Sequence, residues 1–194
     1  MEKISYALGL SLGNNLLSSG IDKLDIQKIA KGIQDVLEKN EPEISYQEAQ
    51  TIINEFFEAL QIKATEGAIQ QGKDFLTQNA QKEGIVTLAS GLQYEVLTEG
   101  NGTKPQASDT VKVHYHGTLL NGNVFDSSVQ RGEPATFGVT QVISGWVEAL
   151  QLMPVGSKWK LYIPSELAYG AQGAGKDIGP HTTLIFEVEL IDIV

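Results

Sequence analysis

The sequence contains no cysteine among its 194 residues. This absence excludes disulfide bonds, thiol nucleophiles and cysteine-ligated metals, although it does not identify the compartment in which the protein works. The chain also lacks a long apolar run, and a membrane helix would need about 20 predominantly apolar residues. Basic residues are few, because 14 Lys and Arg stand against 24 Asp and Glu and give a formal net charge of -10.

The acidic residues are spread along the whole chain rather than gathered in a tail. Nucleic-acid binding requires clustered Lys and Arg that neutralise phosphates, so this distribution argues against a nucleic-acid partner. The N-terminus has no basic stretch that leads into an apolar core, and therefore no signal peptide is visible. We expect a cytoplasmic location, or a periplasmic one if a signal peptide has been removed.

Residues 1–83 are predicted to be helical. A leucine-rich first helix covers Ile4–Leu17 and is expected to stop at Gly20. Asp25 is a candidate N-cap for a second helix, and Ser45 with Glu48 has the form of a capping box for a third. The third helix would run for about 35 residues and extend roughly 50 Å at 1.5 Å per residue. We interpret it as a stalk that stands partly in solvent.

The two short N-terminal helices carry apolar residues on much of their circumference, with little chain to bury them against. Gly9 and Gly13 lie four residues apart and would let two helix backbones approach closely. Packing within one chain is the simpler explanation of that spacing. We nevertheless predict a homodimer joined through residues 1–40, since three helices, one of them a stalk, make a poor monomeric core.

After Gly84 the apolar pattern changes from helical spacing to period two, which is typical of strands with one buried face. Asn121-Gly122 is a strong hairpin-turn signal. One short amphipathic helix is predicted over residues 147–152. Alternating strands are predicted at residues 92–96, 111–115, 157–163 and 183–193. The fold class is therefore α+β: a helical dimerisation region over 1–83, then an antiparallel sheet wrapped around a short helix over 84–194.

Four segments of the second region each place an aromatic residue beside small or apolar neighbours, and together they contain one carboxylate. They are Val111–Gly117, Val124–Ser128, Val142–Trp146 and Ala168–Gly170. This composition is typical of an apolar cleft with a few polar groups, and not of a nucleophile with its base. It indicates chemistry performed by desolvation and shape, such as rotation about a prolyl peptide bond.

These segments resemble the motifs of the FKBP-type peptidyl-prolyl cis-trans isomerases, and a fifth match lies at Pro180–Phe186. The resemblance covers residues 91–194 and implies an isomerase that needs no cofactor and forms no covalent intermediate. The N-terminal segments Ser5–Gly9 and Ser11–Gly13 are similar to the dimeric bacterial branch of macrophage infectivity potentiator type. That resemblance implies intertwined N-terminal helices and a V-shaped dimer.

The resemblance also implies which residues form the site. Trp146 would lie under the substrate's proline ring. The backbone N–H of Ile143 and the hydroxyl of Tyr169 would donate hydrogen bonds to the substrate. Asp126 would approach the carbonyl of the twisting amide, or hold neighbouring side chains in place. The walls would be formed by aromatic and branched side chains: Tyr115, Phe125, Val142, Ile143, Ile178 and Phe186. Within this set we assign catalytic roles to Tyr115, Phe125, Asp126 and Tyr169.

Several of these assignments have structural alternatives. Tyr115 and Phe186 could be core residues as well as pocket residues, and Asp126 could be an Asx-turn residue only. Many members of the family have an aromatic residue at the position of Ala135, and here the nearest ring is Phe137, which we include among the substrate-binding residues. We expect a more open wall there, which affects the affinity for macrolide inhibitors and the preference for the residue before proline.

No metal or cofactor is expected. His114, His116 and His181 lack cysteine neighbours and acids at ligand spacing, so surface histidines are the better interpretation. The expected partners are proline-containing polypeptides, with macrolide inhibitors of the family as possible ligands. An alternative function is a dimeric chaperone or peptide-binding module in which isomerisation is secondary. Its support is the helical arm with apolar residues such as Phe56 and Phe57, which could instead pack within the arm or the dimer.

Overall fold

The computed structural model describes residues 1–194, which divide into two compact units, residues 1–63 and residues 64–194. The first unit is helical and the second contains the sheet. One helix of 34 residues, α3 (Tyr46–Asn79), runs through the division. The boundary predicted at residue 83 for the isomerase domain stays a prediction.

The first two helices are α1 (Glu2–Ser18) and α2 (Ile26–Glu38). The predicted end of α1 at Gly20 and the predicted N-cap of α2 at Asp25 are confirmed. After α1, the N–H of Gly20 donates to the carbonyl of Leu17 at 3.0 Å, and the N–H of Ile21 donates to the carbonyl of Leu16 at 2.9 Å. This pair of bonds is the Schellman ending of a helix. Asp25 caps α2 by accepting from two first-turn N–H groups at 2.9 and 3.1 Å.

Helix α3 starts as its capping residues predict. The hydroxyl of Ser45 accepts from the backbone N–H of Glu48 at 3.1 Å, which is one half of a capping box. The helix continues through Gly67 and Gly72 without a break. Glycine costs a helix only about 1 kcal/mol, so neighbouring residues can carry the helix past it.

Residues 1–63 bury very little apolar surface. Ile21 is the only hydrophobic side chain in this unit that is less than 9% exposed, at 8%. The exposed apolar side chains are distributed over all three helices and include Leu8, Leu10, Leu17, Ile33, Ile52, Ile53, Phe56, Phe57 and Ile62. None of the helices combines the length and the apolar character that a membrane crossing requires.

The second unit is built on one antiparallel sheet of seven strands, ordered β1-β2-β6-β7-β3-β4, with β5 pairing with β3. The predicted strands and the hairpin turn at Asn121-Gly122 are confirmed, whereas β1, β4 and β5 were not predicted as strands. The strands are β1 (Ile85–Thr87), β2 (Gln93–Thr98), β3 (Thr110–Leu119), β4 (Val124–Ser127), β5 (Ala135–Gly138), β6 (Lys158–Ile163) and β7 (Leu184–Ile193).

Two short helices accompany the sheet, α4 (Ser128–Arg131) and α5 (Ser144–Leu150). The helix predicted over 147–152 is α5, but it begins three residues earlier and ends two residues earlier. The start at Ser144 was not predicted, because Gly145 lies in the first turn and glycine has a low helix propensity. Trp146 and Leu150 of α5 are buried together with the inward-facing residues of β3, β6 and β7.

The C-terminal half of α3 is part of the second unit. Phe75 packs against Tyr162 of β6 with ring centroids 5.9 Å apart. The buried Asn79 donates its amide N–H to Gln93 Oε1 at 3.0 Å, and Gln93 donates in turn to the carbonyl of Leu76 at 2.8 Å. The end of the helix is therefore fixed to strand β2 by hydrogen bonds that are shielded from water.

We expect Gln93→Met to destabilise the second unit by about 1–3 kcal/mol, because the variant leaves the buried Asn79 amide without its acceptor. Both tryptophans, Trp146 and Trp159, lie in this unit, so urea unfolding followed by tryptophan fluorescence measures the loss. Gln78→Met, at an exposed position on the same helix, is the control and should change little. Equal stability of the two variants would contradict the anchoring role.

Candidate functional site

An open cleft of about 650 Å³ lies in the second unit. A volume of that order suits a small ligand or a short peptide segment. All ten residues predicted from sequence line it: Tyr115, Phe125, Asp126, Phe137, Val142, Ile143, Trp146, Tyr169, Ile178 and Phe186. Four lining residues were not predicted: Gln141, Ala174, Gly175 and Asp177. The structure thus brings together residues that are up to 71 positions apart in the chain.

The indole of Trp146 forms the apolar base of the cleft and is 4% exposed. Three rings from three different strands meet it edge-on. Its centroid lies 5.4 Å from that of Tyr115, 6.0 Å from that of Phe137 and 5.3 Å from that of Phe186, with interplanar angles of 82°, 89° and 80°. Edge-to-face aromatic pairs at these distances are favourable. The indole is therefore held in one orientation at the start of α5.

Phe125 forms an adjoining wall and depends on a glycine opposite it. Its ring meets Phe186 edge-on, with centroids 5.3 Å apart and an interplanar angle of 87°. A Cβ at Gly117 would lie 2.7 Å from the Phe125 ring and 2.8 Å from the Phe186 ring. Any larger residue at Gly117 would displace both walls. The glycine in the Val111–Gly117 segment is thus required by the space between two aromatic rings.

A polar network lies on one side of the cleft. The Tyr115 hydroxyl donates to Asp126 Oδ2 at 2.5 Å. Arg131 forms an ion pair with Asp126 Oδ1 and also donates from Nη2 to the Tyr115 hydroxyl at 2.8 Å. The guanidinium carbon lies 5.5 Å from the centre of the Tyr115 ring. Both oxygens of the single carboxylate in the predicted site are thus engaged by neighbouring side chains.

Protonation states in this network follow from burial and from its hydrogen bonds. Burial alone would raise the pKa of the Asp126 carboxyl, but the hydrogen bonds from Tyr115 and Arg131 and the Arg131 charge outweigh it, and the pKa lies below its ordinary value. Burial, followed by the hydrogen bond to Asp126, raises the pKa of the Tyr115 phenol. At neutral pH the phenol therefore keeps its proton and the carboxylate keeps its charge.

Two hydrogen-bond donors remain available at the cleft. Ile143 immediately precedes α5, and its backbone N–H makes no hydrogen bond to another backbone group. The side chain of Tyr169 lines the cleft and is 40% exposed. These are the two donors expected from sequence, and a bound amide carbonyl could accept from either.

The segment 170–179 closes one side of the cleft as a small hairpin. Ala174 and Ile178 exchange backbone hydrogen bonds of 2.8 and 3.1 Å. Gly173 has φ +64°, and a Cβ there would lie 2.3 Å from the carbonyl oxygen of Ile178. Only glycine meets both demands. The glycine-rich sequence therefore builds a defined turn that carries Ile178 into the cleft.

Arg131 is the residue that the sequence interpretation missed in the polar network. It lies on α4, a single helical turn that starts when the Ser127 hydroxyl accepts from the backbone N–H of Gln130 at 3.2 Å. The pattern Ser-x-x-Gln at 127–130 is a capping signal. It could have revealed the turn, and the turn would have placed Arg131 close to Asp126.

Other positions singled out in the sequence lie beside the cleft. Ala135, on β5, packs against the core and is not among the residues that line the cleft, whereas Phe137 is. The rings of His114 and His116 bind serine hydroxyls, with Nδ1 to Oγ distances of 3.0 and 2.9 Å to Ser128 and Ser127. The two histidines thus help to fix the segment that follows Asp126.

Two family models match this chain, and together they cover almost all of it. Residues 101–191 match the family model described as FKBP-type peptidyl-prolyl cis-trans isomerase. Residues 1–96 match the model for the domain amino terminal to FKBP-type peptidyl-prolyl isomerase.

Similar proteins cover both units. The FKBP-type 22 kDa peptidyl-prolyl cis-trans isomerase of Escherichia coli is 47% identical over 193 residues, covering 98% of this chain and 94% of that protein. The outer membrane protein MIP of Legionella longbeachae is 44% identical, covering 99% of this chain and 85% of that protein. The crystal structure of FkpA from Escherichia coli matches with a TM-score of 0.80 at 39% identity, covering 98% of this chain and 95% of that chain.

We expect Arg131→Gln to raise the pKa of Asp126, because the variant removes a cation and a hydrogen-bond donor. The pKa of Asp126 in the folded protein is lower than the ordinary aspartate pKa of about 3.9, which holds in the unfolded chain. The network therefore stabilises the fold at pH values above about 3.9, and this contribution is lost as the pH falls through the lowered pKa. In the variant the loss should therefore be smaller and complete at a higher pH, because its onset is set by the unfolded-state pKa, which the substitution does not change. Carboxyl-carbon NMR titration measures the pKa directly. Lys104→Gln, with the same charge change at an exposed site, should leave it unchanged, and an unchanged pKa in Arg131→Gln would contradict the assignment.

Proposed function

This chain belongs to the FKBP-type peptidyl-prolyl cis-trans isomerases, and on that premise we propose that it isomerises X–Pro bonds by holding the amide in its twisted form within the apolar cleft. The resemblance inferred from the sequence motifs is confirmed by the relatives and by the fold. The protein is a peptidyl-prolyl cis-trans isomerase; the mechanism and the residue roles are our proposal. The observation that supports them is that all ten predicted site residues, eight of which lie in the family motifs, line one cleft.

The chemistry requires no bond to break. Rotation about a peptide bond faces a barrier of about 18–20 kcal/mol, because the planar amide loses its resonance as it twists. A twisted amide has less charge separation than a planar one. An apolar cleft that excludes water therefore disfavours the planar form more than the twisted one, and interactions that are stronger in the transition state accelerate the reaction.

The cleft residues divide into three roles under this proposal. Trp146 supports the proline ring from below, and the three rings that contact the indole edge-on hold it in place. The walls exclude water from the rotating bond. The backbone N–H of Ile143 and the hydroxyl of Tyr169 hold the flanking carbonyls, which fixes the peptide on either side of the bond that turns.

Asp126 had two possible roles in the sequence interpretation. Its two oxygens are bound by Arg131 and by the Tyr115 hydroxyl. This geometry supports the positioning role, in which the carboxylate orients the Tyr115 ring against Trp146. The ion pair with Arg131 also compensates the charge of this carboxylate, so Asp126 adds no net charge to the cleft.

The test is a protease-free cis/trans assay of the full chain on a proline-containing tetrapeptide. We expect Phe125→Ala to lower kcat/KM by about tenfold or more, since a lost apolar wall removes on the order of 1.5 kcal/mol or more. Asp126→Asn should also lower kcat/KM by releasing Tyr115. A macrolide ligand of the family should inhibit the wild-type protein.

Matched controls for these variants lie outside the cleft. Phe57→Ala truncates an exposed ring of the first unit, and Asp192→Asn removes an exposed carboxylate near the C-terminus. Circular dichroism should show all four variants folded. Wild-type turnover in both Phe125→Ala and Asp126→Asn would reject the residue roles proposed above.

Homodimerisation through residues 1–40 is part of the proposal. It is supported by the single buried apolar side chain of the first unit and by an open groove of about 560 Å³ whose lining includes Leu10, Leu17 and Leu24. No heavy atom outside the helix backbone lies within 4 Å of a Cβ built at Gly9 or Gly13, so both glycines leave room for a second chain.

Light scattering at micromolar concentration should give twice the chain mass of 21.0 kDa. Leu10→Asp should shift the protein towards the monomer, because a charge in an apolar interface is costly to desolvate. Val194→Asp places the same charge on an exposed apolar residue of the second unit, outside residues 1–40, and should leave the mass unchanged. A monomeric mass for the wild-type protein would contradict the proposed dimer.

A chaperone activity is the second candidate, and the exposed Phe56 and Phe57 favour it. Suppression of client aggregation that survives Phe125→Ala but is lost in a Phe56→Ser/Phe57→Ser variant would support this function over isomerisation alone. The clients of either activity would be proline-containing or unfolded polypeptides.

The cytoplasmic location expected from the sequence has no support from the comparisons, since one similar protein carries the name outer membrane protein. The periplasm is the alternative that the sequence interpretation named. Cell fractionation against marker enzymes of the two compartments decides between them.

A further inference from the structure

One uncompensated charge lies in the cleft. Of its two carboxylates, Asp126 forms an ion pair with Arg131, and the other lining side chains are neutral. Asp177 takes part in none of the ion pairs of the chain. Its neighbour Lys176 is exposed and is likewise unpaired. The lining therefore has one negative charge that forms no ion pair within the chain.

The backbone holds Asp177 at the cleft. It lies in the hairpin of residues 174–178, directly before Ile178, which is 8% exposed and has both its N–H and its carbonyl bonded to Ala174. The turn is further constrained at Gly173, where the backbone packs too closely for any Cβ. Asp177 is exposed, but residues on both sides of it are fixed. Its charge is thus a constant feature of the cleft and not that of a freely moving tail.

We propose that Asp177 is a specificity-determining residue, which makes this isomerase favour peptides with lysine or arginine next to the proline over neutral or acidic ones. This inference rests on the proposed function, in which the proline ring lies on Trp146. Asp177 and Trp146 line the same cleft of about 650 Å³. A side chain that flanks a proline held on Trp146 would then lie within the field of this carboxylate. A basic side chain gains attraction there, and an acidic one is repelled.

The expected effect is modest, because Asp177 is exposed to solvent. Exposed ion pairs contribute little, and their usual strength corresponds to about a two- to fivefold preference. Screening supplies a second signature. The Debye length falls from about 30 Å at 0.01 M salt to about 3 Å at 1 M, so the preference should shrink as salt is added.

The experiment measures kcat/KM of the full chain on two peptide series. The first is Ala-X-Pro-Phe and the second is Ala-Ala-Pro-X, where X is lysine, norleucine or glutamate. Norleucine has the same number of side-chain carbons as lysine and lacks the ammonium group, so the lysine-to-norleucine ratio isolates the charge. We expect a ratio of about two to five at low salt in at least one series. Glutamate should fall below norleucine in the same series.

Asp177→Asn keeps the shape of the side chain and removes its charge, and we expect its ratio to fall to about one. Glu83→Gln is the matched control, since it makes the same change of net charge at an exposed residue that does not line the cleft, and its ratio should equal that of the wild-type protein. A wild-type ratio of one in both series, or a preference that persists in Asp177→Asn, would overturn the inference. Absence of turnover on the norleucine peptides would instead overturn the proposed function on which it rests.

Discussion

The edge-on packing of three aromatic rings around Trp146 is the constraint on which the rest of this site depends. The rings come from β3, β5 and β7, and the indole comes from the first turn of α5. The four rings meet only if the strands pair in this register, α5 begins where it does, and residue 117 has no side chain that would displace Phe186. A rigid apolar base follows, as the proposed mechanism requires, because an enzyme that acts by shape and desolvation would have no covalent step to compensate for a loose fit.

Polar groups in the cleft are arranged so that they do not disturb this apolar base. Asp126 is bound by Arg131 and Tyr115 and, in the role proposed for it, orients the tyrosine ring. The two donors that remain, at Ile143 and Tyr169, lie at the cleft without an ionised partner. Asp177 is the exception, as its charge has no partner within the chain. Under the two proposals, the cleft would combine an interior without net charge, which holds the X–Pro bond, with one charge that distinguishes the residues beside it.

Much of the local structure was predictable because it depends on neighbours in the sequence. The cap at Asp25, the stop at Gly20, the start of α3 at Ser45 and the alternating strands follow from hydrogen bonds and periodicities a few residues long. Short elements were missed or misplaced. The turn α4 and strand β5 have four residues each, which is too few for a periodic signal, and the start of α5 was hidden by Gly145. Eight of the ten site residues were named through family motifs, whereas Phe137 and Ile178 lie outside them, and the roles of all ten remain proposals.

The sequence alone determined which segments become helix or strand, that chemistry by cysteine is excluded, and that aromatic residues recur at motif spacing beside few charges. Only the tertiary structure decided which rings touch, that Arg131 completes the Tyr115–Asp126 network, that the end of α3 is fixed to Gln93, and that Asp177 has no partner. The physical reason is distance along the chain. Caps and periodic patterns act between residues a few positions apart, whereas the ring contacts, the Arg131–Tyr115 hydrogen bond and the Asn79–Gln93 hydrogen bond join separate elements that meet only in the folded unit.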